Sequence, residues 1–196
     1  MITETAMIVL SSLADNADAR SGMPGHSRRV AALVARTIAA LGARGKEAQL
    51  ILDAARLHDI GKLGVPETAL VRRQQLTPME RSLVRRHADR GAAYLRGQPG
   101  ARPAAEIVLH HHERFDGDGY PGHMTAENIP LGSRVIAVAE CFDALTHDSP
   151  FRSAIALPAA IGVLTNGAGQ QWDAHVVDAF LHVTVPELVH TGQMSA

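Results

Sequence analysis

Almost half of this chain is apolar, yet hardly any of it is aromatic: hydrophobic residues make up 46% and Phe, Trp and Tyr together 4%. A core must therefore be assembled from Ala, Leu, Val and Ile. Ala- and Leu-rich surfaces of this kind favour close helix packing over a β-sandwich. The helical period is visible in Val30, Leu33, Val34, Thr37 and Ile38, which form one stripe of a helix expected over about residues 26–40 and stopped at Gly42. A preceding helix is expected over about residues 3–19, ending at the turn-rich Ser21-Gly22-Met23-Pro24-Gly25, and a following one over about 46–59, closed by Gly61.

Thr77-Pro78-Met79-Glu80 is a strong helix start. Thr77 can cap, Pro78 takes the first helical position and Glu80 completes a capping box. That helix is expected to run to about Leu95. Further helices are expected over about residues 103–112, 131–146, 153–165 and 172–184. The stretch Val183-Thr184-Val185 has strand propensity but is short and sits at a helix end. The class is all-α. A length of 196 residues suits one domain. Its expected layout is an N-terminal helix over 1–20, the main domain over 21–184 and a tail over 185–196 whose last positions are poorly ordered.

A net charge of −1 gives no global basic field for a DNA or RNA duplex or an anionic membrane. Local basic pairs occur at Arg28–Arg29, Arg72–Arg73 and Arg85–Arg86. Such pairs are ordinarily solvated helix faces; the functional alternative is that one draws an anionic substrate toward a site. Cys141 is the sole cysteine, which excludes an internal disulfide and fits a reducing compartment. Glu4 and the lack of a basic start argue against a signal peptide, and no apolar run reaches the ~18 residues of a membrane span. A cytoplasmic protein is expected.

Histidine is the anomaly, with 11 in the chain. His26, His58, His87 and the run His110-His111-His112 sit where amphipathic helices meet loops, and Asp59 directly follows His58. Any one of these is ordinarily a core or surface residue. Together they offer the ligand set of a dinuclear site, with Asp59 able to bridge two ions. Mixed imidazole and carboxylate donors suit divalent ions such as Mn, Fe, Zn or Ni. Two such ions roughly 3.5–4 Å apart form the usual clamp for in-line attack on phosphorus.

Two long segments carry a resemblance: His58-Asp59-Ile60-Gly61-Lys62, and His111-His112-Glu113-Arg114-Phe115-Asp116-Gly117-Asp118-Gly119-Tyr120-Pro121-Gly122. They resemble the signatures of the HD-GYP family, a bacterial branch of the HD-domain phosphohydrolases associated with hydrolysis of cyclic di-GMP. The likeness continues at Gly25 to Val30, Leu76 to His87, Ala137 to Thr146 and Gly169 to Asp173. It implies a single HD-type helical bundle whose dinuclear centre is held by His26, His58, Asp59, His87, His111 and His112. Asp59 would bridge the ions and the hydroxide between them. Lys62 would act with Asp59 in catalysis and meet a substrate phosphate. Gly119, Tyr120 and Pro121 would shape a loop beside the substrate; the plainer alternative is a rigid turn.

The family pattern is broken in places. Where an Asp ligand is usual, this chain has Glu140, expected to ligate with a shifted carboxylate. Asp143, on the same helix face, either reaches the site or orients Glu140. The usual substrate-directed Arg is Ser149, leaving Arg152 nearby as a substrate contact, and Gly22 replaces an extra Glu ligand, so two ions are expected rather than three. About 20 residues precede the motifs, which leaves no room for an input domain and implies a stand-alone domain or a piece of a longer protein.

The leading expectation is a metal-dependent phosphodiesterase, loaded with Fe or Mn (Zn and Ni being alternatives), that converts cyclic di-GMP to pGpG and onward to GMP. One alternative is a weak or inactive metal- and nucleotide-binding module acting through signalling-protein partners. Another keeps the enzyme but changes the substrate to a different cyclic dinucleotide or nucleotide. The first helix and the tail after Val183 are candidates for a homodimer contact.

Overall fold

The computed structural model describes residues 1–72 and 74–190, with side chains to residue 186. Ten α-helices occur among these residues: α1 (Glu4–Arg20), α2 (His26–Ala40), α3 (Gly45–Leu57), α4 (Glu67–Leu70), α5 (Pro78–Arg85), α6 (His87–Arg96), α7 (Arg102–Leu109), α8 (Leu131–Thr146), α9 (Leu157–Gly167) and α10 (Ala174–His190). Short 3₁₀ turns span Ile60–Gly64 and Ala126–Asn128. Two isolated bridges, Ser149 to Arg152 and Ala168 to Trp172, are the only β-type pairing among the described residues. The all-α expectation holds.

One apolar core runs through the bundle, built as the composition demands from Ala, Leu, Val and Ile. The stripe of α2 is fully buried: Val30, Leu33, Val34, Thr37 and Ile38 all lie inside. Helix α1 joins the same core through Leu10 and Ala14. Helix α8 carries buried residues from Gly132 to Asp143 and meets α10 through an edge-to-face pair, Phe142 on Phe180, with ring centroids 5.1 Å apart. Each such fully buried large side chain contributes about 1.5–3 kcal/mol through burial.

Three expectations about the elements need correction. The helix begun at Thr77 does not run to Leu95 but divides at Arg86, whose ψ of −1° departs from the helical value. The capping box forms as expected: Thr77 Oγ1 accepts from the Glu80 amide, and Glu80 accepts from the Thr77 amide. Its short helix α5 buries nothing, whereas α6 buries His87, Ala88, Gly91, Ala92 and Leu95. The break thus separates a solvated turn from a core helix and turns His87 inward.

Gly61 does not close α3, which ends at Leu57; His58 and Asp59 form a turn into the 3₁₀ segment. The glycine serves close packing instead. A Cβ on Gly61 would lie 1.9 Å from the His87 carbonyl oxygen and 2.5 Å from the Gly91 nitrogen. That contact seats the His58-Asp59 turn directly on α6. Finally, Val183, Thr184 and Val185 are helical, because α10 continues to His190 through the first half of the stretch expected as a tail. Residues 191–196, including the positions expected to be poorly ordered, lie outside the described residues, as does Arg73.

Candidate metal centre

Helix ends converge on one point beneath the α5–α6 break. His26 opens α2, His58 caps α3, His87 opens α6, His111 and His112 follow α7, and Glu140 lies on α8. Two groups form. His87, His111 and His112 make one; His26, His58, Asp59 and Glu140 make the other, and within each group one potential ligand atom per residue lies within 4.8 Å of the rest. All the side chains expected as ligands are therefore brought together, although they are drawn from widely separated parts of the chain.

Asp59 lies between the groups and is 1% exposed. Its Oδ1 is 3.4 Å from His87 Nε2. Its Oδ2 is 3.4 Å from His58 Nε2 and 3.7 Å from His26 Nε2. The two oxygens thus face different groups. Oδ2 also receives Lys62 Nζ at 2.5 Å, with Lys62 brought one turn forward by the 3₁₀ segment. Burial alone would raise the Asp59 pKa, but Lys62, His58 and His87 overrule it and hold the carboxyl well below its ordinary value. The same ion pair more than offsets burial at Lys62 and raises its pKa.

The imidazoles are aimed by their other nitrogens. His58 Nδ1 donates to the Ala55 carbonyl at 2.9 Å, His87 Nδ1 to Val84 at 2.7 Å and His111 Nδ1 to Val108 at 2.5 Å. A carbonyl only accepts, so each of these rings carries a proton on Nδ1 and points Nε2 at the centre, and His87 and His111, held neutral, present that nitrogen bare. Those carbonyls close helices α3, α5 and α7, so a latch three residues long also satisfies a helix end. His26 differs: its Nδ1 lies 2.6 Å from Asp143 Oδ2, and Asp143 also accepts from Arg29 Nε at 2.7 Å. Those hydrogen bonds overcome burial and lower the Asp143 pKa.

This arrangement fits a pair of cations. His87 Nε2 lies 3.2 Å from His111 Nε2, yet with both protons on Nδ1 the two atoms are facing lone pairs. His58 Nε2 and Asp59 Oδ1 are buried with no hydrogen-bond partner. Burial without a partner is costly for both, and a cation with N and O ligands removes the cost. Burial drives the His87 pKa down to about 3 and lowers those of His111 and His112, keeping that group in the neutral form that can ligate. At His58 burial is outweighed by the Asp59 carboxylate, which holds its pKa up at about 9.

The glycine-rich loop is fixed beside the centre. The buried Glu113 carboxylate accepts from the Gly122 amide at 2.5 Å and the Met124 amide at 3.1 Å. A Cβ on Gly119 would fall 2.2 Å from the Arg114 nitrogen, so only glycine lets the loop fold back here. Tyr120 then stacks on His112, with centroids 4.9 Å apart and planes 24° from parallel. Pro121 follows through a cis peptide. Beyond His112 a cleft of about 210 Å³ is lined by Glu140, Cys141, Gln171 and Trp172 among others.

Arg152 takes no place at the centre: its guanidinium donates to the Ala144, Leu145 and Ser153 carbonyls and caps α8. Sequence reasoning missed the role of Asp143, which orients His26 and not Glu140, and that of Glu113 in tying the loop. A carboxylate on a buried helix face was the available signal for Asp143.

The family model described as "HD domain" matches residues 9–176. The chain belongs to the HD-domain family. Its motifs and relatives place it in the HD-GYP branch. The cyclic di-GMP phosphodiesterase response regulator RpfG of Xanthomonas campestris is 40% identical over 154 residues, covering 78% of this chain and 40% of RpfG. A cyclic di-GMP phosphodiesterase of Thermotoga maritima is 35% identical over 158 residues, 80% of this chain and 43% of that protein. This HD domain thus spans less than half the length of these relatives. A cyclic GMP-AMP-specific phosphodiesterase of Vibrio cholerae, V-cGAP3, shares the fold with a TM-score of 0.74 over 97% of this chain and 51% of its own, at 17% identity. Among the described residues no helix is long and apolar enough to cross a membrane.

Proposed function

We propose that this HD domain is a cytoplasmic, metal-dependent phosphodiesterase that opens cyclic di-GMP to pGpG, with GMP as the product of further cleavage. The observation that carries the reading is the division of the Asp59 oxygens between two ligand groups, the arrangement a shared pair of ions requires. His87, His111 and His112 would hold one ion, and His26, His58 and Glu140 the other, with Asp59 common to both. Iron or manganese suits these N and O donors. A bound pair supplies Lewis-acid and water-activating chemistry toward a phosphodiester.

The protein's own groups do the positioning. The Nδ1 latches keep four Nε2 atoms aimed inward, counting His26 through Asp143. Lys62 spends one N–H on Asp59 and retains two for a substrate phosphate, where a fixed ammonium stabilises developing negative charge. Gly119, Tyr120 and Pro121 would wall the substrate side, with the Tyr120 ring stacked on His112. Glu140, longer by a methylene than the usual Asp, still stands with its carboxylate 4.0 Å from His112 Nε2.

The test is a product assay. Protein reconstituted anaerobically with Fe(II) or Mn(II) is given cyclic di-GMP, and the nucleotides are separated over time beside an Asp59→Ala control. Metal-dependent pGpG or GMP that disappears in the control is the expected result. Intact cyclic di-GMP in the presence of bound metal, with turnover of another cyclic dinucleotide, would reassign the substrate; no turnover of any would leave a binding module.

A further inference from the structure

The proposed substrate carries two phosphodiesters in one ring, and the centre described above engages one of them. The second carries a full negative charge, so what meets it decides how tightly the ring is held. Most cations around the centre are already committed. Lys62 is paired with Asp59, Arg29 with Asp143 and Arg114 with Asp116, while Arg152 is spent on the carbonyls that end α8. Arg85 is not committed in this way. Its exposed guanidinium makes no hydrogen bond or ion pair among the described residues and lies 5.0 Å from the centroid of the Tyr120 ring.

That position is set by the break at Arg86. His87 turns inward to the centre while Arg85, two residues earlier, ends α5 on the outside and reaches back over the loop. Tyr120 thus touches both a candidate ligand, His112, and an exposed cation, Arg85. A guanidinium held by a ring face keeps its N–H fork free at the edges, and that planar fork matches two oxygens of a phosphate. Arg81, one turn back on the same helix, lines the same surface depression as Arg85 and is likewise unpaired among the described residues, which strengthens the positive field there.

We propose that Arg85 anchors the phosphodiester that is not being cleaved. This rests on the cyclic dinucleotide reading above. Arg85 is then a substrate-binding and specificity residue, selecting substrates with a second phosphate at a fixed distance from the first.

The experiment compares Arg85→Ala and Arg85→Lys with the unsubstituted protein, loaded with Mn(II), on two substrates. Cyclic di-GMP has two phosphodiesters, and bis(p-nitrophenyl) phosphate has one. Loss of a charge-assisted contact is expected to raise KM for cyclic di-GMP about tenfold or more in Arg85→Ala with kcat little changed, and less in Arg85→Lys. Turnover of bis(p-nitrophenyl) phosphate is expected to stay within about twofold. Calorimetry with a non-hydrolysable phosphorothioate analogue of cyclic di-GMP and metal-free protein gives a readout independent of turnover, with a matching loss of affinity. An unchanged KM and Kd overturns the proposal and leaves the phosphodiesterase reading standing. Equal losses on both substrates also overturn it, because Arg85 would then act on the centre through Tyr120. Failure of the unsubstituted protein to bind or cleave any cyclic dinucleotide overturns both.

Discussion

Replacing Asp143 by asparagine probes the centre without removing any proposed ligand. The carboxylate is fully buried and serves His26 Nδ1 at 2.6 Å and the Arg29 guanidinium at 2.7 and 3.0 Å, with His147 Nδ1 3.2 Å from its Oδ1. An amide of the same shape has only one oxygen for these donors, and its NH₂ must face one of them. Arg29 cannot give up its protons, so the amide oxygen turns to Arg29 and the NH₂ to His26. His26 then accepts at Nδ1 and carries its proton on Nε2, the atom facing Asp59, where it no longer can ligate. Orientation partners of this kind are worth about 10–100-fold in metal affinity, or roughly 1.4–2.8 kcal/mol. Competition titrations of Mn(II) against a chelator should therefore resolve one weakened ion and one unchanged, because the His87 group does not touch Asp143. Equal weakening of both ions, or of neither, would refute this reasoning. A thermal melt of the metal-free variant separates simple unfolding from a local effect.

Three further expectations follow from the same geometry. Gly61→Ala forces a methyl against the His87 carbonyl and should cost about 3 kcal/mol, read as a lower denaturant midpoint of metal-free protein. Glu113→Gln removes the charge holding the Gly122 and Met124 amides; faster hydrogen exchange confined to residues 117–124 is expected, with a loss of about 1–2 kcal/mol. Metal-free protein should lose stability as pH falls below about 6.5, because His87, with its folded pKa near 3, and the likewise depressed His111 and His112 resist protons that the unfolded chain accepts. His58, raised to about 9, acts the other way: its contribution is full below about 6.5 and fades as pH climbs through 9. Urea unfolding at pH 7, 6 and 5 checks the acid limb, and a flat series contradicts it.

Local signals in the sequence carried far, and long-range ones did not. The α2 stripe and the Thr77 capping box are written in spacings of three and four residues, and both form as read. The seven candidate ligands were legible through the resemblance of short motifs around them to the HD-GYP signatures, and the structure gathers all seven. The division at Arg86 was hidden because nothing in helix propensity forbids continuing; the inward pull on His87 and the close seat against Gly61 decide it. Asp143 shares a helix face with Glu140, which suggested a common task, but its partners His26 and Arg29 are 117 and 114 residues away. The position of Arg85 over Tyr120 depends likewise on two segments whose meeting only the fold determines.

The carbonyl latches have a consequence for how the protein is supplied with its ions. Rings tethered to the ends of their own helices keep their aim with or without an occupant, so loading freezes few side-chain torsions. A preaimed donor set of this kind would take up an ion without refolding the chain around it, and donors buried this deeply would release that ion slowly.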